Sequence, residues 1–170
     1  MTFWGRVCIL CQNSCYVYLV MAGAMRFFGG YSLGFLSAKF FEDRYPEYTS
    51  QFSIMNAVIV IGGGLPASIL GGWLSDRYEA KYGAIKGLIS GVGALAAIPF
   101  IAIAYGWQPG FWWSSIAYYV GYFLAEMWYG PAHAQINNMF PSEYQGFAIA
   151  AFNLAGAISG TVATLTLGAL

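Results

Sequence analysis

Apolar residues run along this chain in blocks too long for a soluble helix and too continuous for a strand. No charged residue separates Glu47 from Asp76, Lys86 from Glu126, or Glu143 from the end, gaps of 28, 39 and 27 residues. A helix needs about 20 apolar residues to cross the hydrocarbon core of a bilayer, so these gaps hold one, two and one crossings. The run from Cys15 to Leu36, interrupted only by Arg26, makes another. The pattern predicts five spans, roughly 15–36, 52–74, 86–106, 111–134 and 146–169. The apolarity is continuous over about twenty residues rather than alternating over about ten, which makes them helices and not barrel strands. The expected fold is an all-α polytopic membrane protein, with residues 1–170 forming a single transmembrane domain.

Polar clusters mark the expected connections: Glu42-Asp43-Arg44-Tyr45-Pro46, Asp76 to Gly83, Gly106-Trp107-Gln108-Pro109-Gly110, and Pro141-Ser142-Glu143-Tyr144-Gln145. Arg6, Arg77, Lys81 and Lys86 fall on one side of the membrane, Lys39 and Arg44 on the other. The excess of basic residues places the N-terminus in the cytoplasm. Met1–Ser14 has one charge and no clear cleavage site, so it does not read as a signal peptide. Within the spans, Gly62-Gly63-Gly64-Leu65-Pro66, Pro99 and Pro131 predict kinks or hinges. The pairs Gly30 and Gly34, Gly87 and Gly91, and Gly156 and Gly160 have the spacing that lets membrane helices approach closely.

Composition narrows the function. Hydrophobic residues make up 59% of the 170 and charged residues only 8%, against about 25% charged in a soluble domain. Seven basic and seven acidic residues cancel, so no basic field exists for nucleic acid to follow. Ordinary soluble enzymes, disordered proteins and nucleic-acid binders are excluded. Cys8, Cys11 and Cys15 lack a fourth ligand for a zinc site and read mainly as apolar filler, with acylation at the membrane edge as the alternative. No metal, cofactor or catalytic set is expected, and the only histidine, His133, has no supporting motif around it.

Two charges remain inside spans. Arg26 lies eleven residues past Cys15, roughly 16 Å along a helix, and Glu126 lies in the fourth span. A buried charge costs at least about 2.5–3.5 kcal/mol, so each needs a partner or a wet cavity. Ala22, Gly23, Gly29 and Gly30 leave room beside Arg26, which could bind an anionic solute or pair with Glu126. On a helical wheel Ser115, Tyr118, Tyr122, Glu126, Tyr129, His133 and Asn137 share about a quarter of the circumference. Such a stripe forms either a solute-facing wall or an interhelical hydrogen-bond seam. Glu126 and His133 are the groups that could couple to protons.

Gly71-Gly72-Trp73-Leu74-Ser75-Asp76-Arg77-Tyr78-Glu79-Ala80-Lys81 resembles the cytoplasmic loop signature of the major facilitator superfamily, G-x-x-x-[DE]-[RK]-x-G-x-[RK]-[RK]. Gly72, Asp76, Arg77 and Lys81 match; Glu79 stands in place of a glycine and Tyr82 in place of a basic residue. Arg26-Phe27-Phe28-Gly29-Gly30-Tyr31 looks like the seventh helix of the Spinster-like branch. Gly130-Pro131-Ala132, Asn137-Asn138-Met139-Phe140-Pro141 and Gln145-Gly146-Phe147-Ala148 look like its tenth and eleventh helices, with Gln145 where arginine is usual. The resemblance implies helices seven to eleven, a partial C-terminal half of a secondary transporter. It also implies that the seventh and tenth helices line the central cavity.

The expected function is membrane transport of a small organic solute or lipid-like molecule by alternating access. Arg26, Tyr118, Tyr122, Glu126, Tyr129 and His133 would line the pathway. Asp76, at the N-terminus of the short turn or helix that follows, would form a cytoplasmic latch with Arg77 and Lys81, and Gly72 would permit close packing at the helix end. The partners would be membrane lipid and either a missing transporter half or other membrane subunits. The competing expectation is a non-transporting scaffold subunit of a larger complex.

Overall fold

The computed structural model describes residues 3–107 and 110–169; among these there are helices and turns and no strand. In order they are α1 (Phe3–Gln12), α2 (Ser14–Arg44), a 3-10 turn (Pro46–Tyr48), α3 (Thr49–Ile59), α4 (Leu65–Glu79), α5 (Ile85–Ala102), α6 (Phe111–Glu126), α7 (Tyr129–Met139) and α8 (Ser142–Gly168). Val60–Gly64 joins α3 to α4 and Ile103–Trp107 extends α5, both wound as wider π-helix. Among the described residues, four continuous runs are long and apolar enough to cross a membrane: Ser14–Arg44, Pro46–Glu79, Ile85–Trp107 and Ser142–Gly168.

The stretch 111–134, expected as one more span, is divided. α6 ends at Glu126, a turn occupies Met127 and Trp128, and α7 restarts at Tyr129. The cause is Pro131. It has no N–H to donate to the Met127 carbonyl four residues earlier, and its ring crowds that carbonyl.

The connections are shorter than the polar clusters suggest. Glu42, Asp43 and Arg44 are the last turn of α2, which stops where Pro46 bars the helical conformation for Tyr45. Asp76 and Arg77 still belong to α4, leaving residues 80–84 as the turn. Pro141 caps α8, so Ser142 to Gln145 are helical. In the expected tight turn, Gly110 has a φ of +124°, a backbone only glycine adopts without strain. Gln108 and Pro109 lie outside the described residues.

The chain divides into two units, Met1–Phe40 with Gln135–Leu170, and Phe41–Ala134. In the first, Asn13 caps α2 by accepting the Tyr16 N–H at 3.2 Å. α2 packs on α8, with the Phe27 and Tyr31 rings filling the space that side chains at Gly156 and Gly160 would occupy. The Ser159 hydroxyl donates to the Ala24 carbonyl and Tyr16 to the Ala148 carbonyl, each at 2.7 Å. Of the three spaced glycine pairs, Gly156 and Gly160 therefore pack, whereas Gly30, Gly34, Gly87 and Gly91 face open space. Gln145 donates to the Asn137 and Phe140 carbonyls at 2.9 and 3.0 Å, closing the otherwise unsatisfied end of α7.

The second unit is built on rings. Phe41 stacks on Phe52 with centroids 4.4 Å apart, and Phe111 on Tyr48 at 4.5 Å. Tyr105 and Tyr118 meet Phe41 edge-on and tilted. α5 and α6 pack closely because Gly93 lies against the Leu124 carbonyl and Gly121 against Ile101. Outward faces remain apolar: Met25, Ile69, Leu95 and Leu165, one on each candidate span, are 75%, 69%, 68% and 68% exposed. Surface of that kind is tenable only against lipid or protein.

Candidate functional site

Arg26 belongs to the first unit and the other five expected pathway residues to the second. Arg26 is half-buried near the middle of α2, the helix that runs Ser14–Arg44. Its expected small neighbours differ from one another. The Phe152 ring occupies the space beside Gly23, whereas Gly29 and Gly30 are open. The open space on this face of α2 therefore lies beside Gly29 and Gly30, one turn beyond Arg26.

The polar-aromatic stripe falls on both sides of the α6–α7 break. Ser115 is fully buried, with no hydrogen-bond partner for its hydroxyl among the described residues. Tyr118 is 1% exposed inside the ring cluster, 6.2 Å from Tyr122. Tyr122 lies along Gly63 and Gly64, where added side chains would sit 3.4 and 3.6 Å from its ring. The N-terminal part of the stripe is thus an interhelical seam. Tyr122, Glu126, Tyr129 and His133 are half-buried.

Tyr129 and His133 form a unit of their own. Their rings lie 4.3 Å apart, tilted by 55°. His133 Nδ1 is 3.0 Å from the Tyr129 carbonyl. A carbonyl only accepts, so Nδ1 carries the proton. In a neutral ring the other nitrogen, Nε2, then carries the lone pair.

The π segment is held by α6, and the α6–α7 break by α4. In α-helical register the donor for the Gly62 carbonyl would be Pro66, which has none. The Tyr119 hydroxyl donates there instead, at 3.1 Å. Near the break, a side chain at Gly71 would run into the Met127 carbonyl, and one at Gly130 into the Ser68 carbonyl. α4 therefore lies directly on the backbone of the turn that follows Glu126. Sequence reasoning passed over Tyr119 and Gly71. The prolines four residues beyond Gly62 and Met127 were the signal that each carbonyl needs another neighbour.

The loop signature is arranged differently from the expectation. Asp76 sits in the last turn of α4, where the helix dipole opposes an anion, and not at the start of a following helix. Arg77 suits that end, and its guanidinium lies over the Trp73 ring at 5.1 Å. Lys81 lies 5.2 Å from the Tyr82 ring. Gly72 is in ordinary contact with Gly130, 3.8 Å from an added Cβ. The ion pair at this end is Glu79 with Lys86, at 2.6 Å. Among the described residues no cluster of three His, Cys, Asp or Glu could hold a metal ion.

Comparison with known proteins addresses what a membrane chain of this geometry is for. The Organic Anion Transporter Polypeptide (OATP) family model matches residues 1–106, more than half of the chain. The chain belongs to this family. The OATP match, to a transporter family of major facilitator type, carries the coarser part of the sequence resemblance; the Spinster-like branch and the C-terminal half find no support in it. It covers Arg26, the π segment and the loop signature, and stops before α6. No curated protein and no solved structure matches the chain.

Proposed function

We propose that this OATP-family chain forms part of a secondary transporter for organic anions, with Arg26 as a contact for the anionic group. Arg26 is the observation that carries the reading. It is a permanent cation, about 18 Å into a helix that begins at Ser14. One flank is left open by Gly29 and Gly30. A guanidinium at that depth is stabilised by a protein partner, a bound anion or a wet cavity, and the family's name supplies an anion.

In this reading Tyr122, Glu126, Tyr129 and His133 contribute the wall around the α6–α7 break, and Tyr118 supports Tyr122 from behind. Discontinuous helices near the midplane are where such transporters bind solutes, because the break leaves polar backbone and side chains for the substrate. Alternating access would use the two wider-wound segments and the break as flexing points. The loop residues Gly72, Asp76, Arg77 and Lys81 would face the cytoplasm, together with the N-terminus. The motif resemblance supports placing the chain in the C-terminal half of the transporter.

The test is uptake of a fluorescent organic anion in membranes containing the transporter of which this chain is part. A charge-assisted contact is worth about 1.5–3 kcal/mol. Arg26→Ala should therefore raise KM for anions by roughly ten- to a hundredfold at equal surface expression. Arg26→Lys should recover part of the loss. Unchanged anion uptake in Arg26→Ala would remove Arg26 from the site.

A further inference from the structure

The thiols of Cys8, Cys11 and Cys15 are all free and all exposed. Cysteine is among the most buried residue types, so three exposed ones within eight residues do not behave as packing. The packed side of this segment is elsewhere. Leu10 and Tyr16 are each 4% exposed, Tyr16 is bonded to Ala148, and the Phe3 ring meets Phe147 edge-on at 5.6 Å. α8 thus takes the inner side of α1 and of the first turn of α2, and the thiols are left on the other. They do not converge on a cation, since no metal-holding group exists among the described residues.

Their depth is marked by their neighbours. Trp4 is 74% exposed and Arg6 is exposed on the N-terminal side, a pairing suited to the headgroup region. Gln12, Asn13 and Ser14 interrupt the apolar sequence at the join between α1 and α2. Beyond them begins the apolar run of the first candidate span. With the first span in a bilayer, the three thiols would straddle the boundary between headgroups and hydrocarbon.

We infer that Cys8, Cys11 and Cys15 form an S-acylation site for long-chain fatty acyl groups. The donor is a long-chain acyl-coenzyme A. A cysteine sulfur attacks the thioester carbonyl and forms a new carbon–sulfur bond. The bond to coenzyme A breaks, and its sulfur leaves with the electron pair and takes up the proton; nothing is oxidised or reduced. The attached chain enters the bilayer alongside the first span and fixes α1 at the surface. This inference rests on the cytoplasmic N-terminus proposed above, because acyl-coenzyme A is cytosolic.

The test uses membranes from a eukaryotic host expressing the chain. Free thiols are blocked with N-ethylmaleimide, thioesters are cleaved with neutral hydroxylamine, and the released thiols are tagged with maleimide-polyethylene glycol. A hydroxylamine-dependent gel shift of up to three tags is expected. The shift should vanish when Cys8→Ala, Cys11→Ala and Cys15→Ala are combined, at matched expression. A membrane-impermeant maleimide applied to sealed vesicles of either orientation separates the two ways of failing. Thiols that react from the cytoplasmic face but show no hydroxylamine-dependent shift overturn acylation and leave the orientation standing. Thiols that react only from the opposite face overturn the orientation, and acylation with it.

Discussion

Lys86 donates to Glu79 at 2.6 Å, tying the last turn of α4 to the first turn of α5 across the residue 80–84 turn. The lysine side chain is 8% exposed and the carboxylate 43%. Glu79 occupies the position at which the loop signature has glycine. The departure from the motif thus supplies an ion pair in place of a flexible turn residue.

Removing one partner strands the other, and the buried member suffers more. Glu79→Ala leaves the Lys86 ammonium buried without this carboxylate. Exposed pairs contribute about 0–1 kcal/mol and the loss of one partner of a buried pair about 3–5 kcal/mol. The half-exposed Glu79 places this pair between those limits. Glu79→Ala should therefore lower the thermal midpoint in detergent, and Lys86→Met added to it should recover much of the loss. A midpoint unmoved by Glu79→Ala would mean that the pair contributes nothing.

The bond from Tyr119 to the Gly62 carbonyl leads to a second prediction. Interhelical hydrogen bonds in membranes contribute on average about 0.6 kcal/mol and at most about 1.7. Tyr119→Phe should cost about that much stability. Pro66→Ala restores an N–H near the same carbonyl, so Tyr119→Phe should cost less in the Pro66→Ala background. Equal losses in both backgrounds would show that Tyr119 does not answer the missing proline donor. Because the π segment is a proposed flexing point, transport rate should respond more than substrate affinity.

Most of the architecture could be read from the chain, because a bilayer imposes one demand above others, continuous apolarity. Among the described residues, four helical runs are long and apolar enough to cross a membrane, where the sequence predicts five. The stretch 111–134 differs because apolarity reports solvent and not backbone continuity, and Pro131 acts on the latter. The helix wheel put Tyr118 and Tyr122 on a stripe that is either a solute-facing wall or an interhelical seam, because a wheel cannot tell a cavity from a neighbouring helix. Tyr118 meets Phe41 and Tyr105. The role of Gln145 was hidden for a similar reason. Its worth lies in the Asn137 carbonyl of α7 and the Phe140 carbonyl just beyond it, which are orphaned only once that helix is known to end.

Ser115 tests the seam directly. Its hydroxyl is fully buried and unsatisfied among the described residues, which costs about 1–3 kcal/mol. Ser115→Ala keeps the shape and removes the polar atom, so the thermal midpoint should rise. Ser159→Ala, which breaks the 2.7 Å bond to Ala24, should lower it. A fall in both variants would place a hydrogen-bonding partner, such as water, at Ser115.

The sharpest prediction separates two adjacent glycines. The signature names Gly72, but α4 touches the α6–α7 break through Gly71, whose added Cβ would overlap the Met127 carbonyl. Backbone cannot step aside as a side chain can, and overpacking of this kind costs about 1–3 kcal/mol. Gly130→Ala meets the Ser68 carbonyl in the same way. At Gly72 the nearest atom is 3.8 Å away, an ordinary contact. Alanine is also the better helix former there, by up to about 1 kcal/mol. Thermal unfolding in detergent should rank Gly71→Ala and Gly130→Ala well below the parent, and Gly72→Ala at or above it. If Gly72→Ala were the most damaging, the signature glycine would serve a conformation other than this one, and the grip of α4 on the break would not be what holds the fold.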